Sequence, residues 1–227
     1  MEKMLEKLLS IPKSIYVCLR LFPFKDAVKL PMYVRYNCRL YSLKGRIQID
    51  APKVYRGMFK VGFAVVGIFD KRNSPAILKI NGELTLKGKA TFGQGSKICI
   101  GPCGHLTIGE GYLNTAEGII LCYDSITIGK DVLVSWNTTI MDTDFHPVQD
   151  LSDGKQNKMT GEISIGDHVW IGMGSTLLKN TTVPDGCIIG ARTLVNKKFT
   201  EPNVLIAGNP GMVKKRNVSK GIEVQAS

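Results

Sequence analysis

A six-residue spacing of branched aliphatic side chains is the feature that most constrains this sequence. The longest run starts at Ile165 and continues through Ile171, Leu177, Val183, Ile189 and Val195. This period matches neither an α-helix, with about 3.6 residues per turn, nor a simple alternating strand. It does match a coil whose short strands each point one aliphatic side chain inward and then bend at a corner. Three such sides close a triangle, and stacked triangles bury a continuous core between parallel strands.

Shorter runs at the same spacing come earlier, in shifted frames. They are Ile80, Leu86, Phe92 and Ile98; Ile108, Asn114, Ile120 and Ile126; and Ile128, Val134 and Ile140. The pattern then fails across residues 141–164, which are polar and should form a loop that leaves the coil. A β-sandwich of short strands is the alternative, but it does not readily produce so many unbroken steps. The sequence therefore predicts an all-β solenoid, a parallel β-helix with one extended loop.

The two ends of the chain lack the six-residue period. Residues 1–43 predict a short, mostly helical N-terminal cap, residues 44–79 irregular early coils, residues 80–216 the regular solenoid, and residues 217–227 a frayed tail. The helical segment has an apolar face with lysines among it. Either it covers the exposed edge of the first coil, which we favour, or it makes a peripheral contact with a membrane surface.

Charge and cysteine content narrow the choice of partners. The chain carries 30 Lys and Arg against 19 Asp and Glu, a net charge of +11, which indicates an anionic partner. The basic residues are scattered and no nucleic-acid module is visible, so a phosphorylated cofactor, a phospholipid-linked acceptor or a membrane fits as well, and we expect no nucleic acid. The six cysteines show no metal-binding spacing, so we expect reduced thiols, no metal site and a cytoplasmic protein.

Three segments of this chain resemble one protein family. They are Ile-Gly-Asp-His-Val-Trp-Ile-Gly (165–172), Ile-Ala-Gly-Asn-Pro-Gly (206–211) and Ser-Trp-Asn-Thr-Thr-Ile-Met-Asp-Thr-Asp-Phe-His-Pro-Val (135–148). All three resemble the hexapeptide-repeat acyltransferases, and the last is similar to their polysaccharide O-acetyltransferase branch. The resemblance implies a left-handed β-helix, although right-handed crossovers are the general rule. It also implies a homotrimer that uses acetyl-CoA to acetylate a sugar or glycan hydroxyl, with an acceptor that is free, nucleotide-linked or lipid-linked.

Transfer of an acetyl group to a hydroxyl needs a base, and a neutral imidazole is suited to that role at neutral pH. Of the three histidines, His105 lies in a glycine-rich stretch and His168 at a regular corner, whereas His146 stands where the repeat breaks. The resemblance implies that His146 is the general base. A carboxylate, Asp144 first and Asp142 second, would orient the ring, unless both aspartates only shape the turn.

The resemblance implies further contacts as well. Asn114, one coil before the histidine, would meet the reacting groups. The residues implied to bind acetyl-CoA are Trp170, Gly172, Met173, Ala191, Asn196, Lys197 and Lys215, and those implied to bind the acceptor are Trp136, Asp142 and Asp124. Trp170 could equally belong to the core or to a trimer contact, and the basic residues at 214–216 could be a solvated tail.

One function from another class competes with the enzyme. A β-helix trimer without catalytic activity could serve as a scaffold or bind glycans. Zinc carbonic anhydrases share this fold but need two histidines close in sequence, and residues 105, 146 and 168 offer no such pair. The dependence of any activity on His146 therefore separates the enzyme from the scaffold.

Overall fold

The structure is a computed structural model that describes residues 2–64, 66–70 and 73–221. Two helices, α1 (Glu2–Leu21) and α2 (Phe24–Ala27), precede the strands. The strands are β1 (Met32–Val34), β2 (Arg39–Leu43), β3 (Arg46–Ile49), β4 (Phe59–Val61), β5 (Ile77–Ile80), β6 (Glu83–Leu86), β7 (Ala90–Gln94), β8 (Lys97–Ile100), β9 (His105–Ile108), β10 (Tyr112–Ala116), β11 (Ile119–Cys122), β12 (Ser125–Ile128), β13 (Leu133–Val134), β14 (Thr139–Met141), β15 (Ile163–Ile165), β16 (Trp170–Ile171), β17 (Thr176–Leu178), β18 (Thr181–Val183), β19 (Ile188–Ile189), β20 (Leu194–Val195), β21 (Val204–Ala207) and β22 (Met212–Arg216).

Successive strands enter three sheets in rotation, which makes the body a three-sided prism. Sheet A has the order β1-β4-β7-β10-β13-β16-β19-β21-β22, sheet B the order β2-β5-β8-β11-β14-β17-β20, and sheet C the order β18-β15-β12-β9-β6-β3. From β4 to β21, each strand pairs in parallel with the strand one coil before it. The predicted parallel β-helix is confirmed.

The aliphatic spacing arises because strand residues alternate between the inside and the outside of the prism. All six residues of the longest run are at most 2% exposed: Ile165, Ile171, Leu177, Val183, Ile189 and Val195. Equivalent positions stack in register, so that in sheet A Val134, Ile171 and Ile189 lie one above another. Each coil therefore covers the apolar side chains of the coil before it, and the core runs the length of the prism.

Helix α1 closes the N-terminal edge of the prism by packing on β1. Two buried serines on the helix accept hydrogen bonds from the edge strand: the Val34 N–H donates to Ser14 Oγ at 2.9 Å, and the Tyr36 N–H donates to Ser10 Oγ at 3.0 Å. The Lys13 ammonium donates to the Cys38 carbonyl at 2.7 Å. Backbone groups that an edge strand would leave unpaired are thus satisfied by side chains, and the predicted cap is confirmed.

The boundary of the cap differs from the prediction. We expected residues 1–43 to be mostly helical, but the helices end at Ala27, and β1 and β2 already lie within that segment. β1 and β2 escape detection because long irregular connections after β3 and β4 separate their coil from the next, so the six-residue spacing is lost there. Among the described helices none is long and apolar enough to span a bilayer.

The opposite end of the prism is closed by backbone pairing. Strand β22 folds back and pairs antiparallel with β21, with Leu205 opposite Lys215 and Ala207 opposite Met212. Its outer side chains are mostly charged, which discourages another strand from adding to that edge.

The serine contacts at the N-terminal edge give a first testable prediction. Ser14→Ala should lower the free energy of unfolding by about 1–3 kcal/mol, because the buried Val34 N–H loses its acceptor. Urea unfolding followed by circular dichroism measures the change. Ser152→Ala, which alters an exposed serine on the long loop, is the matched control and should stay within about 0.5 kcal/mol of the wild type. Equal stabilities of Ser14→Ala and wild type would contradict this account of the cap.

Candidate active site

The predicted loop leaves the prism between β14 and β15, at the corner where sheet B passes to sheet C. Its two ends are joined, since the Gly161 N–H donates to the Asp142 carbonyl at 3.0 Å. Two further backbone bonds follow outward, from Asp144 N–H to Met159 O at 2.9 Å and from Asn157 N–H to Val148 O at 2.9 Å. The loop is therefore a two-stranded arm rather than an irregular coil.

Asp142 anchors the base of this arm. Its side chain is fully buried, and its two oxygens accept hydrogen bonds from the backbone N–H groups of Tyr123 at 2.7 Å and Asp124 at 2.8 Å. Burial raises the pKa of the Asp142 carboxyl, and these two bonds oppose the rise. The residue was expected to bind the acceptor or orient the histidine. The structure instead makes it a link between two coils, because its buried carboxylate accepts hydrogen bonds from the backbone N–H groups at the corner of the coil before it.

Two lysines clamp the arm to the coils on either side. Lys179, from the following coil, lies 2.5 Å from an Asp144 carboxylate oxygen and donates to the Lys158 carbonyl at 2.6 Å, so it holds both strands of the arm. Lys158 in turn pairs with Asp124 of the preceding coil at 2.8 Å. The hydrogen bond from the Lys158 ammonium holds the pKa of the Asp124 carboxyl below its ordinary value.

His146 lies on the first strand of the arm, and its side chain is exposed. Among the described residues its imidazole has no hydrogen-bond partner within the chain, which leaves both ring nitrogens open to a ligand. Asp144, expected to orient this ring, has its carboxylate on Lys179 instead. The ammonium group of Lys179 attracts that carboxylate more strongly than a neutral imidazole would, because the ammonium carries a full charge at close range.

The residue before the histidine fixes the turn. Phe145 adopts φ = 60°, a left-handed conformation that is rare for a bulky side chain. Two contacts hold it there: its N–H donates to Thr143 Oγ1 at 3.0 Å, and its ring packs edge-to-face on Tyr123 with centroids 5.0 Å apart. A strained backbone next to an exposed imidazole is typical of a site where one side chain must be aimed.

Asn114 lies inside the prism, not at the site. It occupies the inward column of sheet A between Phe92 and Val134 and is 1% exposed. Ser96 Oγ donates to its side-chain oxygen at 2.6 Å. The expected role at the reacting groups is therefore wrong for this residue, because strand alternation points its side chain into the core.

The residues expected to bind acetyl-CoA fall on two different edges of the prism. Gly172, Met173 and Ala191 follow strands of sheet A, at the corner that leads to sheet B, and Trp136, which was expected to bind the acceptor, lies at the same corner. A Cβ on Gly172 would come within 2.7 Å of the Ala191 nitrogen, so the coils approach closely there and only glycine fits.

Asn196 and Lys197 follow β20 instead, at the same corner as the arm that carries His146, and Lys215 lies on β22. Trp170 lies on the outer face of sheet A, where its indole N–H donates to Ser135 Oγ at 3.2 Å. The chain thus holds these groups on separate parts of its surface. Within the described residues, no group of three or more His, Cys, Asp and Glu side chains is arranged to hold a metal ion.

Comparisons with known proteins agree with this architecture. A family model described as bacterial transferase hexapeptide, six repeats, matches residues 162–197, the part of the chain with the longest aliphatic run. Over those residues this chain resembles hexapeptide-repeat transferases. It is 32% identical over 147 residues to a 24.8 kDa protein of the cps region of Klebsiella pneumoniae, which covers 65% of this chain and 64% of the relative.

A second relative has a named activity. The polysialic acid O-acetyltransferase of Escherichia coli O1:K1 / APEC is 29% identical over 142 residues, or 62% of this chain and 43% of the relative. The chain thus spans less than two thirds of the length of both relatives. A crystal structure of the polysialic acid O-acetyltransferase OatWY superposes with a TM-score of 0.50 at 24% identity and covers 84% of this chain and 90% of that one. This likeness shows the fold, a left-handed β-helix.

Sequence reasoning missed the residues that hold the arm. Lys179, Lys158, Thr160 and Tyr123 all contact the arm or its base, although none belongs to a recognisable motif. Lys179 offered one usable signal, since it directly follows β17, at the corner stacked on the base of the arm.

The lysine clamp gives a second prediction. Lys179→Met should speed amide hydrogen exchange at Asp144 and Asn157 about tenfold, because one ion pair and one hydrogen bond to the arm are lost. Lys155→Met is the matched control: it removes a lysine paired with Asp153 at the exposed end of the same arm, and exchange at the two amides should be unchanged. Equal exchange in the two variants would show that the clamp does not hold the arm.

Proposed function

We propose that this hexapeptide-repeat protein is an acetyl-CoA-dependent O-acetyltransferase that acetylates a hydroxyl of a sugar or surface-polysaccharide precursor, with His146 as general base. The observation that carries the proposal is an exposed imidazole aimed by a strained, clamped arm at one corner of the prism. The relative from Escherichia coli, a polysialic acid O-acetyltransferase, supports a glycan acceptor.

The chemistry needs one base and no covalent enzyme intermediate, because a thioester is already activated. The neutral imidazole of His146 takes the proton of the acceptor hydroxyl as its oxygen attacks the thioester carbonyl carbon. A new C–O bond forms and the C–S bond breaks, so the acetyl group passes to the sugar oxygen. The proton held by His146 then leaves with the departing sulfur. With Asp144 engaged by Lys179, the part of that aspartate is to keep the arm in place, which makes it a positioning residue.

Exposed cations near the C-terminal end of the prism suit a polyanionic co-substrate. Lys197 and Lys198 follow β20, and Lys214 and Lys215 lie on β22, all with exposed side chains. Coenzyme A carries a pyrophosphate and a ribose phosphate, which such ammonium groups can bind.

The outer faces of the prism support a homotrimer. Sheet A presents an apolar column of Leu113, Leu133, Trp170, Ile188 and Leu205, and sheet B presents Ile119, Leu121, Met141 and Leu178. Sheet C instead presents hydroxyls from Thr107, Thr127, Ser164 and Thr182. Two different apolar faces on one subunit are what a closed ring of identical subunits requires, because face A of one copy then covers face B of the next.

Such a ring would also complete the site. The arm with His146 lies at the corner between sheets B and C, and the Gly172 corner lies between sheets A and B. A contact between neighbouring copies could place these two edges on the same cleft.

We further propose that the protein works in the cytoplasm, at the inner face of the membrane, on an acceptor carried by a lipid.

The catalytic proposal is tested by acetyl transfer to a panel of glycans that includes polysialic acid, with release of the CoA thiol as the readout. His146→Ala should lower the rate about 10²–10⁴-fold, since a general base contributes that much. His168→Ala, another exposed histidine at a corner, is the matched control and should retain the wild-type rate. Transfer that survives His146→Ala would refute the base, and a wild type that transfers to no glycan would favour the scaffold.

The trimer is tested by sedimentation velocity. Leu133→Lys puts a charge in the middle of the apolar column of sheet A and should convert the trimer to monomers, because an unpaired ammonium would be buried in the interface. Thr127→Lys, on the exposed face of sheet C, is the control and should leave the assembly intact. A wild type that sediments as a monomer would contradict the proposed ring.

A further inference from the structure

Helix α1 carries two separate stripes of side chains on opposite faces. The inner stripe consists of Ser10, Ser14, Val17, Cys18 and Leu21, all buried against the first coil. The outer stripe consists of Leu5, Leu8, Leu9, Pro12, Tyr16 and Leu19, which recur every three or four residues along one face of the helix. Because an α-helix advances about 100° per residue, the two stripes point in nearly opposite directions.

The capping function uses only the inner stripe. Ser10 and Ser14 accept the N–H groups of the edge strand, and Cys18 contacts the Met32 carbonyl through its Sγ at 3.4 Å. None of these contacts involves the outer leucines. Covering the edge of the prism therefore explains one face of the helix and leaves the apolar character of the other face unexplained.

The outer stripe is exposed over its whole length. Leu5, Leu8, Leu9, Tyr16 and Leu19 are each 53–57% exposed. Two further apolar residues extend the surface past the end of the helix, Phe24 at 76% and Val28 at 57%. Seven large exposed apolar side chains between Leu5 and Val28 are more than scattered exposure produces and mark a docking surface.

The charges beside this surface are basic. Lys7, Arg20, Lys25 and Lys29 are exposed around it. Of the nearby acids whose side chains the structure describes, Glu6 pairs with Arg35 at 2.7 Å and the largely buried Asp26 lies 3.9 Å from Lys29. An apolar stripe flanked by lysine and arginine matches a membrane surface that contains anionic lipids, where leucines and aromatics enter the acyl boundary and cations meet the headgroups.

We propose that the outer stripe of α1, continued by Phe24 and Val28, docks this protein on an anionic lipid bilayer with the helix lying in the plane of the membrane. The prism would then stand on its N-terminal end. A second copy of the helix fits less well, because stripe-to-stripe pairing would bring the flanking cations of both copies together.

Docking itself does not depend on the acetyltransferase activity, but its strength rests in part on the proposed trimer. In a ring of parallel prisms all three α1 helices lie at the same end and face the same way. Three weak contacts to one surface bind far more tightly than one, through effective concentration.

The test is co-sedimentation of the full chain with vesicles, either of phosphatidylcholine alone or of phosphatidylcholine mixed with phosphatidylglycerol. The wild type should bind the anionic vesicles at least about tenfold more tightly than the neutral ones. The double variant Leu8→Ser and Leu19→Ser should lose at least about tenfold in binding to the anionic vesicles. Leu151→Ser is the matched control, because Leu151 is 95% exposed on the distant arm, and its binding should equal that of the wild type.

Two further measurements keep the outcomes distinct. Circular dichroism and acetyl transfer to a soluble glycan report whether the double variant is folded and active, so a failure of docking is separate from a failure of the enzyme. Sedimentation velocity reports whether the outer stripe holds two copies together instead. Wild-type binding by the double variant, equal binding to both vesicles, or a change in oligomeric state caused by the double variant would each overturn the proposal.

Discussion

The whole structure depends on keeping equivalent residues in register from one coil to the next. A side chain that points inward in one strand lies directly over its counterpart one coil earlier, as Ile189 does over Ile171 and Ile171 over Val134. A slip of one residue would turn an entire column of side chains outward. Every corner must therefore return the chain to the same alternation of inward and outward side chains. Asn114 shows how strictly this holds: a polar residue in an inward position is kept there and satisfied locally by Ser96, not turned out to solvent.

The proposed catalytic histidine lies where this register is interrupted without being lost. The arm of residues 142–161 departs from a corner, where the backbone already bends, and therefore breaks no sheet. Asp142 at its base ties the departure point to the coil below, while Lys179 ties the arm to the coil above. A rigid scaffold with a braced excursion can hold one imidazole in a defined direction, which a free loop of this length would not do.

The sequence predicts those features that repeat or that interrupt a repeat. The aliphatic runs predicted the solenoid, and the gap after Ile140 predicted the arm. Asn114 stands in the run from Ile108 to Ile126, so the six-residue spacing predicted that its side chain points inward. The resemblance to the family implied instead that it meets the reacting groups. The partner of Asp144 was out of reach for a different reason: Lys179 is distant in sequence, and a single lysine carries no signal of which carboxylate it will meet. β1 and β2 were missed because the long connections after β3 and β4 hide the six-residue period there.

The closed base of the arm has a consequence for how such proteins can diverge. Since Gly161 donates to the carbonyl of Asp142, the chain re-enters the prism one hydrogen bond away from where it left. The arm is thus an insertion that starts and ends at neighbouring points of the coil. Its length does not alter the spacing between the coils on either side of it. Exchange of this segment between relatives would change the surface beside His146 in one step, while thermodynamic stability stays with the stacked coils beneath it.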